Sequence, residues 1–254
     1  MNKVNGFLYG LLSSASFGLI PLFTIPAMHQ GMQFWSILLY RFLFAMLALA
    51  CILLLDKQSF RIRRKEILPL LLLAFLYDCS AVFLFWGYKF MSSGVATTIH
   101  FMYPLAVALA MMGFFGEKRS FAILFAVLVS LSGAGLLSSG KIDFEGGNTT
   151  IGLIAAGLSV FFYGGYIVGV RKSRAVQIPS TALTCYVMGL GALFFIIGGC
   201  LTGGIRLAND TYTWLNILGL ALPATAISNI TLVKAIKYIG PTLTSIFGAL
   251  EPLT

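Results

Sequence analysis

Charge is what this sequence most lacks. Of its 254 residues, 17 are Lys or Arg and 8 are Asp or Glu, 10% in all, against about a quarter in soluble globular chains. So few polar groups cannot coat a water-facing surface, so a soluble enzyme, a nucleic-acid-binding domain and a disordered chain all fit poorly. Histidine occurs twice and cysteine four times. Cys51, Cys79, Cys185 and Cys200 lie in apolar runs with no CxxC spacing and no shared loop. They read as small buried apolar side chains, which implies neither a disulfide framework nor a metal site. HExxH, GxSxG, Walker A and GxGxxG patterns are all missing, so no catalytic motif, ATP drive or cofactor is indicated.

What is present is apolar: 59% of residues are hydrophobic and the mean hydropathy is +0.94. Runs of about 18 to 25 such residues suit helices that cross a bilayer. They are read at 5–25, 33–54, 67–88, 94–115, 121–139, 151–170, 181–203, 213–234 and from 241 to the end. The first follows Met1-Asn2-Lys3 directly, is too long for a signal-peptide core and lacks an A-x-A cleavage pattern, so it reads as a retained anchor. With the N-terminus in the cytoplasm, 13 of the 17 Lys and Arg fall on the inner side and Lys89, Lys141 and Arg206 on the outer. That bias predicts a multi-pass protein of the cell inner (plasma) membrane with a cytoplasmic N-terminus. The basic stretch 57–65 is then a topology signal beside anionic lipid rather than a nucleic-acid site.

The chain also resembles itself. Gly6 to Ser13 and Phe17-Gly18 recur 146 residues later as Gly152 to Ser159 and Tyr163-Gly164. Gly87-Tyr-Lys89 and Tyr103-Pro104-Leu105 recur 148 later as Ala235-Ile-Lys237 and Glu251-Pro252-Leu253. This predicts an all-α membrane protein of two five-helix repeats, 1–145 and 146–254. An odd number of spans per repeat makes the second enter the membrane from the opposite side, the architecture of alternating-access transporters. The ninth span stops at Thr254, about halfway across, so the expectation is ten helices with the second repeat truncated within its fourth.

These residues resemble the drug/metabolite transporter superfamily, EamA-type family, which includes bacterial amino-acid and metabolite exporters. The likeness is carried by the small-residue first span (Gly10, Ser13, Ser14, Ser16, Phe17, Gly18), by Arg41-Phe-Leu, and by Gly87-Tyr-Lys89 running to Gly94. Gly116-Glu117 and Ile236-Lys237-Tyr-Ile-Gly240-Pro241, leading into Glu251-Pro252, complete it. The resemblance implies ten helices, both termini cytoplasmic, a cavity lined by spans 1, 3, 4, 6, 8 and 9, and a peripheral span 2. One departure is that Tyr103 stands where the second repeat has Glu251, making the half-sites chemically unequal.

Ionisable groups at membrane depth are costly and therefore site candidates. Asp78, beside Tyr77 near the middle of span 3, reads as a contact for a substrate amine, a proton carrier or a structural hydrogen bond. His100 and Tyr103, three apart in span 4, present on one side of a helix. Glu251 reads as a cavity carboxylate for cation or proton, or as an anchor at a kink. Trp86, Tyr163 and Asn229 could supply aromatic or polar wall. Proton coupling, if present, would use Asp78, His100 or Glu251. Arg41, just outward of the middle of span 2, could pair with Asp78 or Glu251 or attract an anionic substrate group. A pairing or packing role is preferred, because the resemblance makes span 2 peripheral. The Gly6/Gly10 and Gly165/Gly169 pairs read as packing faces within a monomer. The expected function is secondary transport of a small organic solute, an amino acid or related metabolite. A membrane-embedded enzyme and a receptor or scaffold are the alternatives.

Overall fold

The computed structural model describes residues 3–117, 121, 125, 128–129, 132 and 148–253. All regular structure among them is helical. Among the described residues, seven helical stretches are long and apolar enough to cross a membrane: Lys3–His29, Phe34–Leu55, Arg64–Gly87, Ser93–Phe114, Thr150–Lys172, Ser180–Leu201 and Thr211–Ile239. They match spans 1 to 4 and 6 to 8 of the sequence reading, with ends shifted by a few residues. The predicted span 121–139 lies mostly outside the described residues. After Gly240 (φ 87°) the chain forms a short helix at Pro241–Ile246 and a tighter 3-10 turn at Phe247–Leu253.

The helices are α1 (Lys3–Gly18), α2 (Ile20–His29), α3 (Phe34–Leu55), α4 (Arg64–Gly87), α5 (Ser93–His100), α6 (Tyr103–Phe114), α7 (Thr149–Lys172), α8 (Ser180–Leu201), α9 (Thr211–Ala221), α10 (Ser228–Ile239) and α11 (Pro241–Ile246). Three spans are thus broken, each at a proline. Pro21 follows the break between α1 and α2, Pro104 that between α5 and α6, and Pro223 lies in the π-helical turn Leu222–Ile227 between α9 and α10. A proline has no N–H and crowds the carbonyl four residues back, so each frees a backbone acceptor at membrane depth. At the third break Thr225 Oγ1 donates to Leu220 O (2.7 Å) and Ser228 Oγ to Ala224 O (2.7 Å), satisfying the loosened turn.

Three antiparallel helix pairs build the bundle. α4 runs against α7, where Ser80 Oγ donates to Ser159 O (3.0 Å) and Leu73 fills the space a side chain at Gly169 would need. α1 runs against α10, where Ser13 Oγ donates to Ser228 O (2.9 Å) and Tyr238 and Ile239 lie against Gly6. α3 runs against α8 through Phe42 and Phe195, whose rings are 4.8 Å apart. Small residues let backbones approach closely in a medium where apolar burial drives nothing.

Lipid-facing positions keep their apolar side chains. Leu8, Leu12, Leu55, Leu68, Phe75, Phe161 and Ile197 are all exposed, an apolar surface larger than water would tolerate. The cysteine reading needs correction here. Only Cys185 is buried, Cys79 is half-buried, and Cys51 and Cys200 face outward. Lipid is as apolar as a core, so hydropathy does not distinguish the two. Among the described residues, Lys3, Lys57, Arg61, Arg63, Arg64, Lys65, Arg171, Lys172, Arg174, Lys234 and Lys237 gather at one end of the bundle, and Lys89 and Arg206 at the other. The basic end is tied shut by Arg171 Nη1 donating to Lys237 O (3.0 Å), Lys237 Nζ to Ile178 O, and Lys234 Nζ over the Tyr9 ring.

Candidate functional site

A cavity of about 270 Å3 lies among α1, α2, α3, α4, α5, α7 and the 3-10 turn that follows α11. Arg41, Tyr77, His100, Tyr163 and Glu251 form its deep wall. Leu84, Phe85, Tyr88, Ser93 and Gly94 carry it along the end of α4 and the start of α5, away from the basic end. Two of the proline breaks border it directly, through Phe17, Gly18, Ile20 and Pro21 on one side and His100 and Phe101 on the other. Irregular backbone at membrane depth is tolerated where it lines a cavity in this way.

Glu251 is buried and accepts a hydrogen bond from Tyr103 Oη at 2.8 Å. Tyr103, 1% exposed, sits behind Glu251 rather than in the cavity wall and packs edge-on against Tyr163, with ring centroids 4.7 Å apart. These two residues are the pair that the 148-residue register makes equivalent. Phe17 and Tyr163, equivalent in the 146-residue register, also touch, at 6.0 Å between centroids.

His100 Nδ1 lies 2.9 Å from Ser159 Oγ, and that hydroxyl donates its single proton to Ala156 O at 2.6 Å. Ser159 therefore accepts, His100 carries its proton on Nδ1, and Nε2 is the ring nitrogen left for the cavity. His100 and Tyr103 do not share one helix as the spacing suggests, because Pro104 separates α5 from α6. Their rings still come within 5.8 Å.

Asn229 is fully buried one layer deeper. Its Nδ2 donates to Tyr77 Oη (2.8 Å) and to Thr225 O (2.9 Å), which fixes the Tyr77 ring in the cavity wall. Asp78, the next residue in α4, is turned about 100° away. It faces α8, where a side chain at Gly191 would strike its Oδ1, and that oxygen has no hydrogen-bond partner. Trp86 is 40% exposed and packs tilted against Phe83 and edge-on against Phe90 on the outer face of α4, apart from the cavity.

Arg41, for which the sequence reading preferred pairing or packing over attracting an anionic substrate group, lines the cavity. Thr225 in the π-helical turn accepts from its Nε at 2.6 Å. Polar and aromatic wall residues that the sequence reading did not put forward as site candidates include Ser80, Tyr88, Thr97 and Phe101. Of these, Tyr88 and Thr97 hydrogen-bond to each other at 3.0 Å. Among the described residues no cluster of His, Cys, Asp and Glu is placed to hold a metal ion.

The fold and site thus define a polytopic helical membrane protein with a small, aromatic-walled cavity at its centre. The family model of the EamA-like transporter family matches residues 4–139 and 150–254. The chain belongs to that family, and so to the drug/metabolite transporter superfamily. Curated proteins returned no match. One solved structure, described only as a crystal structure of a protein, superposes with a TM-score of 0.80 at 17% identity, covering 99% of this chain and 86% of that one. It shares the fold.

Proposed function

We propose that this chain is a secondary transporter of small organic solutes, exporting amino acids or related metabolites across the inner membrane by alternating access. The observation that carries the reading is the central cavity, bordered by two of the broken helices, where a buried carboxyl (Glu251), a buried guanidinium (Arg41) and an imidazole (His100) line one small aromatic chamber. A chamber with one carboxyl and a guanidinium beside apolar wall suits a solute with both charges.

The same reading takes 1–145 and 146–254 as inverted repeats. Exchanging the equivalent helices turns the α1–α10 contact, at Ser13 and Ser228, into the α7–α4 contact, at Ser159 and Ser80. The two separate family matches support this division. With a cytoplasmic N-terminus, the closed basic end faces the cytoplasm and the cavity runs toward the outside. The working unit is a monomer, and neither metal nor cofactor enters the cycle.

Proteoliposomes loaded with amino acids and metabolites should show counterflow of at least one of them. Flux of none would sink the proposal. If flux is coupled to protons, the candidate carriers are Glu251 and His100, which line the cavity, and Asp78, which does not. Glu251→Gln or Asp78→Asn should abolish pH-driven flux while sparing exchange if that residue is the carrier, and parental behaviour of both shows that neither carries protons.

A further inference from the structure

The transport reading puts the Arg41 guanidinium in the chamber without saying which group of the solute it meets. Arg41 is 4% exposed, and a guanidinium at membrane depth is among the costliest groups to bury unless its charge and its donors are answered. One of the five N–H groups is answered by a hydrogen bond, Nε donating to Thr225 Oγ1, whose own proton goes to Leu220 O, and the charge meets the face of the Phe42 ring at 5.7 Å from Cζ. The π-helical turn therefore holds the inner edge of the fork in a fixed place. The two Nη groups have no carboxylate within the 4.0 Å of an ion pair among the described residues. Nor are they sealed in protein, since none of the buried atoms lacking a partner belongs to Arg41. They front the cavity.

A guanidinium anchored at Nε, with both Nη groups free toward a small chamber, matches the planar two-oxygen geometry of a carboxylate. A dianion such as a phosphate monoester is the poorer match. Among the described residues Arg41 is the only Lys or Arg in the wall, and Glu251 lines the same chamber and would repel a second negative charge.

We propose that Arg41 is the subsite for the carboxylate of the transported solute, so that solutes lacking that group are rejected. The inference rests on the transport reading above and adds to it a residue and a chemical requirement. Amines and cationic amphiphiles of the same shape would enter the chamber but leave the guanidinium unanswered, losing the differential that makes the site selective.

The test uses the full chain in proteoliposomes, with competition among matched probes: phenylalanine, phenylalaninamide and phenethylamine, and leucine with leucinamide. Thermal shifts of the detergent-purified protein with the same probes read binding independently of flux. The acids should compete at least about tenfold better than the amides and amines, the size of one lost charge-assisted pairing. Arg41→Lys should keep that preference at reduced affinity, and Arg41→Gln should erase it. If Arg41→Gln does not yield folded protein, Thr225→Val, which releases the Nε anchor, should raise KM for the acids without changing their rank over amides. Flux in which amides and amines match the acids overturns the Arg41 subsite while transport stands. Flux and binding of no probe at all overturn both.

Discussion

Tyr103 and Glu251 are 148 residues apart and meet at 2.8 Å, so a single hydroxyl spans what the sequence register calls equivalent positions. Removing a donor from a buried carboxyl costs about 1–3 kcal/mol. Tyr103→Phe should therefore lower thermal stability by that order, while Glu251→Gln, which can still accept from Tyr103, should lose less. Equal melting temperatures for Tyr103→Phe and the parent would show that the bond carries no weight. Gly191 makes the complementary point about space, because a Cβ there meets Phe42 and the Asp78 Oδ1. Overpacking of this kind costs about 1–3 kcal/mol, so Gly191→Ala should destabilise measurably in a denaturation assay, and an unchanged midpoint would argue that α3 and α8 shift freely apart. At this scale the sequence was partly legible. Intramembrane ionisable residues are easily found by their rarity, but which way they face is not. Tyr77 and Asp78 are adjacent in one apolar helix, and only the packing of α4 against α7 and α8 turns the tyrosine into the cavity and the acid out of it. Arg41 shows the reverse: α3 is apolar on all faces, so nothing in its pattern marks the side that meets the chamber. Trp86 stands outward for the same reason.

Helices were the legible elements, because crossing a bilayer demands long apolar runs whose ends loops and charges mark. Their breaks were harder to read. Prolines are common in membrane helices, and the pattern of Pro21, Pro104 and Pro223 does not say which will kink, wind tighter or open into a π turn. In the structure the α5–α6 break has a definite role. It leaves His100 directed to Ser159 and Tyr103 to Glu251, two partners on different elements that one continuous helix would not serve together. Pro104→Ala restores an N–H at the second position of α6 and permits a continuous helix through Phe101 and Met102. Folding stability should be retained or slightly raised, while transport falls roughly tenfold or more, what about 1.4 kcal/mol of misdirected binding would cost. The comparison is a melting curve against a flux rate in the same preparation. A variant that transports like the parent would place the break among structural accommodations, with no share in the site.

For the molecule as a whole, the proposal of alternating access requires the basic end to open. In this structure it is held by α1 against α10: the Tyr9 and Tyr238 rings lie 5.9 Å apart, Lys234 Nζ sits over Tyr9, and Gly6 admits Ile239 at close range. None of these contacts touches the cavity, whose lining begins at Phe17 on α1. A link between α1 and α10 at this level should therefore block the cycle without damaging the site. Tyr9→Cys with Tyr238→Cys, in a background with Cys51, Cys79, Cys185 and Cys200 replaced, provides one when oxidised. The linked protein should still show the thermal shift that a bound amino acid produces in the parent, since the chamber stays reachable from the other end. Its flux should fall to background and return on reduction, because interconversion of the two states is what the link forbids. Flux undiminished in the oxidised protein would mean that α1 and α10 never separate at this end, and the solute would then need a route that this pair of helices does not gate.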